Sequence, residues 1–88
     1  MRYSVKVTKK AMKGIALVPK RVQEAFHALS CDLEEFGPVQ TKWMNYSKLN
    51  GNSHHCHLAH KWVACWSFED GTIQVEVYYV GSRENAPY

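Results

Sequence analysis

The stretch that decides the fold runs Lys61-Trp62-Val63-Ala64-Cys65-Trp66-Ser67-Phe68-Glu69-Asp70-Gly71-Thr72-Ile73-Gln74-Val75-Glu76-Val77-Tyr78-Tyr79-Val80. Two alternating runs flank Asp70-Gly71, a pair that tolerates the positive φ of a two-residue hairpin turn. Closing the chain there sets Phe68 against Ile73, Trp66 against Val75, Ala64 against Val77 and Trp62 against Tyr79, an apolar and aromatic surface throughout. The opposite surface carries Lys61, Val63, Cys65 and Ser67 across from Val80, Tyr78, Glu76 and Gln74, which sets Glu76 beside Cys65. A mixed face of this kind is either solvated or a site.

Upstream, residues 53 to 59 supply a third strand. Cys56 and Leu58 are its core pair and His55 and His57 share the polar face, provided the loop before Trp62 has odd length. Asn50-Gly51-Asn52 is a turn cluster, and residues 39 to 51 read as a connection with a short strand around Trp43 to Leu49. Nearer the start, Val22, Phe26, Leu29, Leu33 and Phe36 are spaced four, three, four and three apart, one stripe of a long helix. Pro19 suits its first position and Gly37-Pro38 stops it. A weaker helical pattern spans Lys9 to Leu17, interrupted by Gly14 and ended by Val18-Pro19. Tyr3, Val5 and Val7 alternate with polar residues, a strand over residues 2 to 8.

The fold class is therefore α+β: an N-terminal strand, two helices, then a three-stranded antiparallel meander with the helices on one face. Phe26, Trp62, Trp66, Phe68 and Tyr79 belong to the core, while Trp43 and Tyr46 fit either core or contact surface. A chain of 88 residues supports one domain, 1–88, because so short a chain cannot divide its core. Its 45% hydrophobic content suffices to fold without disulfides. Three cysteines, an odd number, and no apolar signal segment predict a reducing, cytoplasmic setting, and no run is long enough to span a bilayer. A formal charge of +3 leans toward anionic partners without the footprint of a dedicated DNA-binding module.

The order of elements and the ending Tyr79-Val80-Gly81-Ser82-Arg83-Glu84-Asn85-Ala86-Pro87-Tyr88 resemble the RelE/ParE toxin superfamily over nearly the whole chain. Gly81, Arg83, Glu84 and Tyr88 match the family's closing Val-Gly-Lys-Arg-Glu-like run and its tyrosine. Lys61 to Trp66 is similar to the family's aromatic central strand. The resemblance implies a toxin that cuts messenger RNA in the ribosomal A site by attack of a ribose 2′-hydroxyl on the adjacent phosphate. It implies neither metal nor cofactor, and a cognate antitoxin, the ribosome and mRNA as partners. His55, His57, Arg83 and Tyr88 are then the catalytic candidates, with Lys61 and Arg83 binding substrate. Two positions depart from the pattern: Val63 stands where the RelE branch has a catalytic arginine, and Asn85 replaces a second cation. A ParE-like inhibitor of DNA gyrase, or a catalytically inactive fold member that acts by binding protein, is the alternative.

Each candidate has a plainer reading. Imidazoles titrate near neutral pH and suit acid or base work, yet His54, His55, His57 and His60 also fit an exposed edge. The same cluster with Cys56 fits zinc by ligand type, but no second ligand cluster accompanies it. Arg83 fits a surface ion pair with Glu84, Tyr88 an edge-covering tail, and Glu76 a solvated strand residue. Cys65 lacks a nearby cation to make it a nucleophile.

Overall fold

A computed structural model describes residues 3–88; the expected strand position at Arg2 lies outside the described residues. Strand β1 (Ser4–Val7) is followed by helices α1 (Lys9–Leu17) and α2 (Lys20–Phe36), then by β2 (Ser47–Lys48), β3 (Ser53–Ala59), β4 (Trp62–Phe68) and β5 (Gln74–Ser82). They form one five-stranded sheet in the order β1-β5-β4-β3-β2. The meander β3-β4-β5 is antiparallel, as is the short β2 on its edge, while β1 lies parallel to β5.

Both helices cover one face. Val22, Phe26, Leu29 and Leu33 of α2 and Ala11 of α1 are buried against Cys56, Leu58, Ala64, Trp66, Val75, Val77 and Val80 of the sheet. Full burial of each such aliphatic side chain is worth about 1.5–3 kcal/mol, so this layer holds the fold together. Thr8 caps α1, its hydroxyl accepting from the Ala11 amide. Gln23 donates its side-chain amide to the Ile15 and Val18 carbonyls and ties the two helices at their junction. Pro19 takes the cap position of α2, one place before the expected one, and its carbonyl accepts from the Val22 and Gln23 amides.

Four sequence expectations need correction. Phe36, the last member of the helical stripe, is 67% exposed: the helix ends on Gly37, where the Tyr3 ring already fills the space beneath. The β4–β5 hairpin pairs Phe68 with Val75 and Trp66 with Val77, two residues beyond the register a two-residue turn would give. Gly71 does take a positive φ of 85°, but Thr72 folds back on Glu69, and the Ile73 carbonyl accepts from Ser4 in β1 rather than from β4. Because that shift is even, the faces survive it; Glu76 moves opposite Ser67 instead of Cys65. A bulge between Cys65 and Trp66 then inverts the alternation of β5, so Val80 enters the core and Tyr79, opposite Cys65, turns to the helix-free face. On the other side of β4, an irregularity between His57 and Ala59 supplies the odd parity its pairing requires.

The connection from Gly37 to Tyr46 is pinned rather than loose. Gln40 is buried, donating to the Asp32 and Gly37 carbonyls. Trp43 donates its indole N–H to Asp32 at 2.9 Å, and the Met44 carbonyl accepts from His57 on β3. Trp43 and Tyr46 both pack against the core.

Candidate active site

On the helix-free face, Cα pairing across the sheet defines successive rows: Ser53, Ser67, Glu76 and Lys6; then Ser47, His55, Cys65 and Tyr79; then His57, Val63 and Gly81. His55 and His57 sit two apart on β3, so strand geometry alone puts them on one face. Their ring centroids are 6.0 Å apart. The tail beyond β5 folds back over them, and the Tyr88 ring lies 4.6 Å from that of His55 at a tilt of 53°.

Arg83 follows the last strand and is anchored by its backbone, which donates to the Lys61 carbonyl at 2.8 Å. Its guanidinium is exposed, yet near enough to act electrostatically on both His57 and Tyr88. The four expected catalytic side chains therefore converge. Lys61 lies elsewhere than expected: it occupies the turn between β3 and β4, exposed at the sheet's end, where it lines a recess of about 260 Å³ with Trp62, Ser82, Arg83 and Glu84.

Both imidazoles are shielded, His55 at 9% and His57 at 6% exposure. Burial lowers the pKa of each below the usual imidazole value; for His57 the charges of His55, Arg83 and His60 push the same way. Ser47 holds His55 through Nδ1 at 3.0 Å and leaves Nε2 for other work. Burial raises the Tyr88 phenol, with Cys65 adding to the effect. The site thus holds two imidazoles that burial keeps neutral at pH 7, one phenol that keeps its proton there, and one permanent cation.

The centre of the face is apolar. Val63 is fully buried between His57 and Gly81, and Cys65 is buried beside it with its thiol pushed up to about 12, which removes the thiolate as a nucleophile. A side chain at position 81 would run into the Tyr79 ring, whose hydroxyl donates to the Ser82 carbonyl and braces the start of the tail. Two contributors escaped the sequence: Tyr79, because no residue type announces the bulge that turns it, and Ser47, whose place opposite His55 follows only once β2 is paired.

His54, the neighbour on the other face, belongs to the core layer. It is 4% exposed, stacks parallel to Trp66 and joins Nδ1 to the Tyr46 hydroxyl at 2.8 Å. Among the described residues, no group of three His, Cys, Asp or Glu side chains is arranged to hold a metal ion. Nor is any helix among them long and apolar enough to cross a membrane.

No family model matches the sequence, and no curated protein resembles it at a significant level. Solved structures do. A chain of the Escherichia coli DinJ–YafQ toxin–antitoxin complex superposes with a TM-score of 0.78 at 13% identity, covering 100% of this chain and 100% of that one. The archaeal RelE–RelB complex from Pyrococcus horikoshii OT3 gives 0.76 at 19% identity, over 98% of this chain and 100% of the other. The YoeB/ParE toxin from Agrobacterium tumefaciens gives 0.75 at 9%, over 91% and 98%. At these identities the likeness is one of fold, and the fold is the RelE-like one.

Proposed function

We propose that this chain is the toxin of a type II toxin–antitoxin pair, a ribosome-dependent endoribonuclease that cuts mRNA without a metal. The observation that carries the reading is the convergence of His55, His57, Arg83 and Tyr88 on the helix-free face. The RelE-like fold, shared with proteins solved in toxin–antitoxin complexes, supports it.

Cleavage by an internal hydroxyl needs a proton acceptor, charge stabilisation at phosphorus and a donor for the leaving oxygen. The His55 ring contacts both the His57 ring and the Tyr88 ring. His57, kept neutral, takes the proton of the 2′-hydroxyl as the O2′–P bond forms. As the P–O5′ bond breaks, Tyr88 gives its proton to the leaving oxygen. Arg83 and a His55 N–H hold the phosphoryl oxygens, the arginine doing so as a fork of donors. The products are a 2′,3′-cyclic phosphate and a 5′-hydroxyl; return of a proton from His57 to Tyr88 through solvent restores the site. Lys61, beside Arg83, contributes charge to the RNA path. The cognate antitoxin neutralises the protein by covering this face or displacing the tail, and the setting is cytoplasmic.

A second reading, ParE-like inhibition of DNA gyrase, draws on the likeness to the YoeB/ParE toxin and on Val63, which puts no cation at the centre of the face. Inducing the chain in cells and mapping RNA 5′ ends separates the two. Codon-periodic cuts that vanish in His57→Ala support the nuclease; DNA damage with intact mRNA supports the gyrase reading.

A further inference from the structure

The row of the helix-free face next to His55 and Tyr88 ends in a polar recess that the proposed chemistry does not use. Lys6, Ser67, Glu69, Thr72, Gln74 and Glu76 line about 270 Å³ of open space there. Pairing fixes their arrangement, with Glu76 of β5 standing between Ser67 of β4 and Lys6 of β1. Glu76 is half-buried, and among the described residues no hydrogen bond or ion pair engages its carboxylate. The Thr72 hydroxyl is already committed to the Glu69 carbonyl, while among the described residues no hydrogen bond or ion pair engages the side chains of Glu69, Glu76, Gln74, Ser67 and Lys6.

Two carboxylates and one ammonium give the recess a net negative charge in a chain whose total is +3. It therefore repels phosphate and attracts hydrogen-bond donors. The Ser67 row and the His55 row are two residues apart along β4, about 7 Å, close to one step of an extended polynucleotide. A strand with its scissile phosphate at His55 and Arg83 can thus lay a neighbouring base over Glu76.

We infer that this recess is a nucleobase-specificity subsite that selects guanine. Guanine alone among the four bases presents two adjacent N–H donors on its pairing edge, N1–H and the N2 amino group, beside an O6 acceptor. A carboxylate accepts both at once, and Lys6 or Gln74 supplies the donor to O6. Adenine and cytosine offer one amino group and uracil one imide N–H, so each leaves one Glu76 oxygen unmatched. Single-stranded RNA exposes these edges for such readout. The inference rests on the proposed RNA-cutting role for its ligand, but its test does not depend on cleavage.

The test titrates 15N-labelled protein with 2′-O-methyl trinucleotides, which cannot be cut, whose central base is guanine, hypoxanthine, adenine, cytosine or uracil. Hypoxanthine keeps N1–H and O6 but lacks the amino group. The guanine trinucleotide binds about tenfold more tightly than the hypoxanthine one, as loss of part of a two-point contact requires, and it shifts the Ser67 and Glu76 amides. Glu76→Gln, at a half-buried position outside the cleavage machinery, binds the two equally while its affinity for the adenine trinucleotide is unchanged. Equal binding of guanine and hypoxanthine by the natural chain overturns the subsite, as does the absence of binding by all five. An arginine-rich peptide that shifts these amides where guanine does not would assign the recess to a protein partner instead. Guanine selectivity in a protein that leaves mRNA intact in cells would refute the nuclease reading and keep the subsite.

Discussion

Gly14→Ala is expected to destabilise the protein, although local propensity argues the reverse. Within a helix glycine is about 1 kcal/mol less favourable than alanine, so an exposed helical glycine would gain that much on substitution. Here α1 rides on β5, and a Cβ built on Gly14 falls against the Val80 carbonyl far inside the 3.0 Å that real contacts respect. Backbone cannot rotate away as a side chain can. Overpacking costs about 1–3 kcal/mol, and a clash with backbone belongs at the upper end, so the net loss is roughly 1–2 kcal/mol after the propensity gain. Urea unfolding followed by tryptophan fluorescence should show the midpoint falling by about 1–2 M, given slopes of ~1 kcal/mol/M for so small a chain. Val80 leads directly into Gly81, Ser82 and Arg83, so the folded variant should also cut RNA more slowly. An alanine variant as stable as the natural chain, or more so, would refute the packing of α1 on β5 described above.

Other outcomes follow from the same geometry. His57→Ala should lower the cleavage rate about 10²–10⁴-fold with the urea midpoint little changed, as single-turnover kinetics on programmed ribosomes would show. Because burial and the Arg83 charge lower the His57 pKa, the natural chain's rate should hold as pH falls through 6.5 and drop only below it; a midpoint at or above 6.5 would contradict His57 as the base. His54, His55 and His57 all have lowered folded-state values, so the unfolded chain binds more protons below pH 6.5. Stability is then full above 6.5 and lost as pH falls through the folded-state values, to be read from urea midpoints at pH 7.5 and 5.0. His54→Ala leaves the Tyr46 hydroxyl without its partner under the loop and removes a ring stacked on Trp66, and should cost about 2–3 kcal/mol in the same assay.

The sequence makes the layers legible because they rest on periodicity. Val22, Phe26, Leu29 and Leu33 face the sheet as their spacing demands, and Ala64 and Trp66 face them in turn. It also placed His55 and His57 on the free face, since strand alternation leaves no other choice once Cys56 and Leu58 are buried. What it missed depends on chain partners distant in sequence. The hairpin register slipped by two because the Ile73 carbonyl is taken by Ser4, some seventy residues earlier, and the parallel place of β1 beside β5 has no local signature at all. Tyr79 changed faces through a bulge that no glycine or proline marks. Lys61 reads as a strand residue by alternation but is consumed by the turn into β4. The convergence could be anticipated as a set of residue types, whereas its electrostatics could not: burial lowers the pKa of both imidazoles and raises that of the Tyr88 phenol, and for that reason the proposed mechanism gives the donor's task to Tyr88.

The most direct measurement is the chemistry of the RNA ends left on mRNA-programmed ribosomes by the purified chain, treated with EDTA and desalted before it is added. Cuts in the mRNA should end in 2′,3′-cyclic phosphate and 5′-hydroxyl groups, with none from a chain carrying His57→Ala and Arg83→Ala together. Intact mRNA in the presence of the folded natural chain, or cuts by the double variant at the natural rate, would contradict the proposed cleavage.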